Sequence, residues 1–112
     1  MVLRPQESTS AQYDWVDALM VSMLIRVEFF GVARLRAGVV SAEINLAGAA
    51  VLGDVIQELR SRFPELAAEC FSGNRPRDGY TANIGGTRFV SDPATPLADG
   101  DALLILSADA GG

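Results

Sequence analysis

The sequence predicts an α+β roll, a mixed sheet of about five strands with one main helix packed across it. Three observations carry this. Residues 23–30 and 101–106 are the most apolar strand-like runs, and they open and close the regular part of the chain. Between them Leu52, Val55, Ile56, Leu59 and Phe63 recur at a helical period and form one apolar stripe. The order is strand, strand, helix, strand, short strand, strand. That order lets the first and last strands lie side by side at the centre of the sheet.

In the first strand, residues 23–30, Arg26 and Glu28 share a parity, so Ile25, Val27 and Phe29 face the core. Phe30 then falls on the polar face, where it either tucks under a loop or joins a partner-facing patch. Gly31 breaks the strand, and residues 32–38 read as a broad turn. The second strand, residues 40–46, alternates Val40, Ala42, Ile44 and Leu46 with polar residues.

The helix follows. Asp54 and Glu58 stand early and Arg60 and Arg62 late, as its dipole favours. Ala49 and Ala50 make a poor N-cap, and Pro64 cannot continue the ladder. Residues 64–71 restart a short helical turn, with Pro64 acceptable at its first position. Cys70 reads there as a small hydrophobe under a loop rather than a reactive thiol. Residues 72–79, SGNRPRDG, read as a loop whose Arg75 and Arg77 are solvated or meet an acidic partner.

Residues 80–84 form the third strand, Gly85-Gly86 its turn, and residues 87–90 the short return strand. Pro93, Pro96 and Asp99-Gly100 turn the chain again. The final run, residues 101–106, is continuously apolar and so reads as a strand covered on both faces. Residues 1–22 are polar at first, then carry Tyr13, Trp15, Val16, Leu19 and Met20, enough for one short amphipathic turn. They read as a flexible or loosely docked N-terminal extension to a domain at 23–112. Asp14 and Asp17 interrupt any signal-peptide pattern.

Composition removes several chemistries. All nine basic residues are arginine, and the chain has no lysine and no histidine. A Ser-His or Cys-His nucleophile pair, a Schiff-base lysine and a P-loop lysine are therefore impossible. Zinc would lack imidazole, and a single cysteine makes no internal disulfide, which points to a reducing cytoplasm. A net charge of −5 argues against nucleic acid and anionic membranes and favours a basic protein partner. No apolar run is long enough to span a bilayer. The chain is not expected to be an enzyme on its own.

The sequence ends Ala110-Gly111-Gly112. Two residues without Cβ make a thin string that passes through a narrow channel and delivers a carboxylate. At average glycine usage, a terminal pair arises by chance in roughly one chain in 200.

A family resemblance runs through the motifs. Residues 27–38, VEFFGVARLRAG, resemble the opening of the small subunit of molybdopterin synthase. Residues 52–56 (LGDVI), 82–86 (ANIGG), 96–101 (PLADGD) and the closing Gly111-Gly112 follow in the same order. Together they resemble the MoaD/ThiS family of ubiquitin-like sulfur carriers over residues 23–112. That resemblance implies a β-grasp (ubiquitin-like) fold and no bound cofactor. It also implies an E1-like enzyme that uses ATP to adenylate the carboxylate of Gly112, with Gly111 as its slender neighbour. A sulfur donor then displaces AMP, and the thiocarboxylate passes sulfur to a biosynthetic enzyme. In the leading case that enzyme is like the large subunit of molybdopterin synthase.

Phe30, Phe89, Asp109 and Ala110 are the expected partner-facing residues. Family members often carry prolines just before the Gly-Gly, whereas residues 107–110 have none, and the N-terminal extension has no counterpart in the minimal family pattern. Other destinations for the sulfur are cysteine, thiamine or a specialised metabolite, although the length of the 72–79 region disfavours the short thiamine type. A protein modifier and a plain β-grasp interaction module are the remaining classes. A ferredoxin-type β-grasp is excluded, because its cluster needs about four cysteines.

Overall fold

The computed structural model describes residues 22–108. The extension up to residue 21 and the end of the chain, 109–112, lie outside the described residues. The elements in order are β1 (Ser22–Phe29), α1 (Val32–Ala37), β2 (Ser41–Ala47), β3 (Ala50–Val51), α2 (Leu52–Arg62), α3 (Pro64–Cys70), β4 (Phe71–Ser72), β5 (Arg75–Pro76), β6 (Tyr80–Ile84), β7 (Arg88–Val90), β8 (Pro96–Leu97) and β9 (Ala102–Ser107).

The main sheet has five strands in the order β2-β1-β9-β6-β7. β1 and β9 lie side by side and parallel, with Val27 opposite Leu103. β2, β6 and β7 join antiparallel. The expected neighbouring of the first and last strands is thus observed, with β9 at the centre. Ile25, Val27 and Phe29 are fully buried, as their parity predicts.

α2 lies across the inner face. Its Leu52, Val55, Ile56 and Leu59 are completely buried, each worth about 1.5–3 kcal/mol of hydrophobic transfer. Phe63 ends the helix half-buried, its ring edge-on to that of Phe29 at 5.6 Å. The weak N-cap is compensated from inside the helix, because the Val51 N–H donates to Oδ2 of Asp54 at 3.0 Å. Gly85 and Gly86 both take positive φ, 66° and 79°, as the β6–β7 turn requires.

Four expectations are corrected. Residues 32–37 are a helix rather than a broad turn. α1 is only six residues long and buries Ala33 alone, so it shows no apolar stripe. Its signal is Gly38, left-handed at φ 78°, whose N–H caps the Arg34 carbonyl. Val40 does not face the core; it stands just before β2 and is 60% exposed. The 72–79 segment is not all loop, since Phe71 and Ser72 pair with Pro76 and Arg75 in a small hairpin. β9 is not sealed on both faces: Leu103 and Ile105 are buried, but Leu104 and Leu106 on the other side are only half-buried.

Candidate functional site

The end of β9 is where the predicted reactive tail begins. Ala108, the last described residue, donates its N–H to the Gly79 carbonyl at 2.8 Å. That bond fixes the tail root against the turn before β6. Gly112, Gly111, Ala110 and Asp109 lie outside the described residues. Beside the root is an open cleft of about 680 Å³, whose lining includes Arg75, Arg77, Tyr80, Thr81 and Ala108. The two arginines of the 72–79 segment therefore line the same cleft as Ala108, the residue from which the sequence runs on to Gly111-Gly112.

Two titratable side chains near this root, Tyr80 and Cys70, keep their protons at neutral pH. The Tyr80 phenol is pushed up to about 12, first by donating its hydrogen bond to Glu69 and then by burial. Burial, followed by the charge of Glu69, pushes the Cys70 thiol up to about 11, which leaves it a packed hydrophobe. Among the described residues no group of three or more His, Cys, Asp or Glu is placed to hold a metal ion. No described helix is long and apolar enough to cross a membrane.

The outer face of the sheet, opposite α2, carries the other two predicted residues. Register runs Ser41, Glu28, Leu104, Asn83, Phe89 across the strands in one row. Phe89 is 54% exposed there. Phe30 continues β1, its N–H donating to the Ile105 carbonyl at 3.1 Å, which sets it beside Leu106. The Arg34 guanidinium lies 5.6 Å from the Phe30 ring centroid. Phe30 and Phe89 thus share a face but do not form one contact pair. Three strand spacings separate β1 from β7, about 14 Å. Leu104 and Leu106 bridge them, and sequence reasoning missed both because a continuous apolar run hides its alternation.

Asn83 was missed as well. It lies in the outer-face row between Leu104 and Phe89, is 4% exposed, and its Oδ1 has no hydrogen-bond partner among the described residues. A second apolar group, Val32, Leu35, Val39 and Val40, is exposed around α1 and the turn into β2.

The five-strand mixed sheet, with its parallel central pair β1 and β9, and the helix crossing it define a β-grasp, ubiquitin-like fold. No protein-family model and no curated protein sequence matches the chain. Solved structures do. SAMP1 from Haloferax volcanii superposes with a TM-score of 0.67 at 20% identity, covering 80% of this chain and 99% of that one. Subunit 1 of a molybdopterin converting factor from Pyrococcus furiosus gives a TM-score of 0.63 at 26% identity, over 76% of this chain and 97% of that one. The Amycolatopsis orientalis BexX/CysO complex gives 0.60 at 23% identity, over 79% and 99%. The resemblance to MoaD/ThiS-type ubiquitin-like proteins, carried in the sequence by short motifs, therefore holds in three dimensions across the described domain.

Proposed function

We propose that this chain is a sulfur carrier whose C-terminal carboxylate is the working group. One observation carries the reading. Gly111-Gly112 follows, within five residues of Ser107, the central strand of a β-grasp domain, and Arg75 and Arg77 flank the root from which it leaves. In the proposed cycle an E1-like enzyme joins the Gly112 carboxylate to the α-phosphate of ATP, releasing pyrophosphate. A sulfur nucleophile attacks the acyl carbon and AMP leaves, giving the thiocarboxylate. The activation is needed because a free carboxylate is a poor electrophile.

The proposed acceptor is a biosynthetic enzyme like the large subunit of molybdopterin synthase. Phe30 and Phe89 would contribute to the docking face, while Asp109, Ala110 and Gly111 enter a narrow channel. The Pyrococcus neighbour, a molybdopterin converting factor subunit, supports that destination. A second reading, attachment of Gly112 to lysines of other proteins, is favoured by the small archaeal modifier protein among the neighbours.

Intact-mass spectrometry separates them. The chain is incubated with an E1-like enzyme, ATP and a sulfide donor, with and without a lysine-bearing protein mixture. The carrier reading expects the mass gain of one oxygen replaced by sulfur, abolished by deleting Gly112. No gain with several activating enzymes would sink it. Isopeptidase-sensitive adducts in its place would favour the modifier.

A further inference from the structure

The segment that opens with the β4–β5 hairpin puts positive charge beside the tail root of a chain whose net charge is −5. Arg75 and Arg77 are both exposed, and both line the cleft of about 680 Å³ that Ala108 also lines. Asp78 is the single acid in that lining. Neither arginine forms an ion pair with a described residue; the pairs among the described residues are Arg26 with Glu28 and Arg36 with Glu69. Arg77 also lines a second cleft, of about 370 Å³, together with Arg60 of α2. Arg60 is exposed and has no ion pair with a described residue either. The three arginines thus form a basic strip from α2 to the tail root.

Backbone bonds fix the place of this strip relative to the root. The Arg77 N–H donates to the Cys70 carbonyl at 2.8 Å, the Tyr80 N–H to the Arg77 carbonyl at 2.9 Å, and the Ala108 N–H to the Gly79 carbonyl at 2.8 Å. The short tail then decides what meets it. From Ala108 to Gly112 the chain runs four residues, a span of at most about 14 Å. An enzyme that takes the Gly112 carboxylate into its active site therefore brings its surface within that distance of Ala108, over the cleft that the arginines line. Activation comes first, because a free carboxylate is a poor electrophile. The enzyme that adenylates Gly112 is thus the one that must recognise the unmodified chain.

We infer that Arg75 and Arg77 pair with an acidic patch beside the channel mouth of that activating enzyme, with Arg60 extending the contact toward α2. This rests on the reading of Gly112 as the activated group, and it holds for carrier and modifier alike, since either begins with activation. Guanidinium–carboxylate pairs are charge-assisted and often two-pronged. At the rim of an interface they steer encounter and set salt dependence. Their loss is therefore read in KM and in the response to salt, not in the chemical step.

ATP–pyrophosphate exchange tests this, with a panel of E1-like enzymes and the full chain as the varied substrate. With an enzyme that accepts the unmodified chain, Arg75→Glu and Arg77→Glu should each raise KM severalfold, and together about tenfold, with kcat unchanged. Arg88→Glu is the control. It changes the net charge as much as either single variant, on β7 opposite Ile84, at the other end of β6 from Tyr80 and Ser107, and should leave KM as it was. Added salt should raise the KM of the unmodified chain steeply and that of the double variant little. The neutral pair Arg75→Gln and Arg77→Gln should give a smaller rise, which keeps the test decisive if a glutamate disturbs the hairpin. Unchanged KM in the charge-reversed and neutral variants would overturn the inference and leave the reading of Gly112 standing. An equal rise for Arg88→Glu would overturn it too, as a response to net charge alone. Exchange with no enzyme of the panel would instead remove the reading of Gly112, and this inference with it.

Discussion

The Tyr80 hydroxyl donates a 2.6 Å hydrogen bond to Oε2 of Glu69, and the other oxygen of that carboxylate lies 3.5 Å from the Arg36 guanidinium. One carboxylate on α3 thus ties α1 to β6, and Tyr80 stands opposite Ser107 at the end of β9. This connection holds the tail root in place. The exposed Arg36 pair adds little, because solvent-facing ion pairs contribute about 0–1 kcal/mol.

The alkaline limb of stability should expose this bond. Tyr80 is raised from 10.0 to about 12 and Cys70 from 9.0 to about 11. Both folded values lie above the unfolded ones, so the folded state holds these protons more tightly. The stabilisation is complete below pH 9 and is lost as pH rises through 11 for Cys70 and 12 for Tyr80. Denaturant midpoints measured against pH should therefore decline above pH 9. Tyr80→Phe should remove the later part of that decline and cost about 1 kcal/mol at neutral pH. In a Tyr13→Phe background, phenolate absorbance follows Tyr80 alone, and Glu69→Gln should move its titration down toward the ordinary value.

Gly53 is a packing glycine. Its N–H donates to the Pro93 carbonyl at 2.9 Å. A Cβ there would meet Asn74 Nδ2 at 3.0 Å, Pro93 Cβ at 3.1 Å and Pro93 O at 3.3 Å. Alanine improves helix propensity by up to about 1 kcal/mol, but overpacking costs about 1–3 kcal/mol. The proline ring and backbone cannot swing aside as the Asn74 side chain can. Gly53→Ala should therefore lower stability by about 1 kcal/mol net. Adding Asn74→Ala should recover only a small part, as read from paired thermal melts.

The inner and exposed apolar residues should separate cleanly under truncation. Leu59 is fully buried beneath α2 and Leu35 is 76% exposed on α1. Leu59→Ala should cost about 2–5 kcal/mol, the range for a cavity in a packed core. Leu35→Ala should stay within about 0.5 kcal/mol. Urea denaturation of both variants checks this.

The elements readable in the sequence were those long enough to show a period. α2 repeats its apolar stripe over eleven residues, and β1 declares its inner face by placing Arg26 and Glu28 on the other. α1 was hidden because six residues hold fewer than two helical turns. Leu104 and Leu106 were hidden because an all-apolar strand has no parity to read, and the half-open outer face followed only from sheet order. Phe30 and Phe89 share the outer face, but their separation depends on the strand order β1-β9-β6-β7, which no local pattern specifies. Gly111-Gly112 is plain in the sequence but lies outside the described residues, so the role expected of it rests on the sequence alone.

Arg62 guards the open edge of the sheet. Among the described residues β2 pairs with β1 alone, so its far side is left as a sheet edge. Arg62 Nη1 donates to the Glu43 carbonyl on that side at 3.0 Å, and its guanidinium lies 5.7 Å from the Phe63 ring centroid. A free strand edge is a template for pairing with another chain, and a bulky cation bonded to its carbonyl obstructs that approach. Arg62→Ala should cost about 0.5–1.5 kcal/mol through the lost hydrogen bond. Its larger effect should be on association. Light scattering of concentrated samples should show the variant forming larger species while the unmodified chain does not. Restoring a cation without the planar fork, as Arg62→Lys, should recover only part of the protection, because lysine cannot stack on the ring while donating to the carbonyl in the same geometry. Equal scattering from all three proteins would show that the edge needs no such cover.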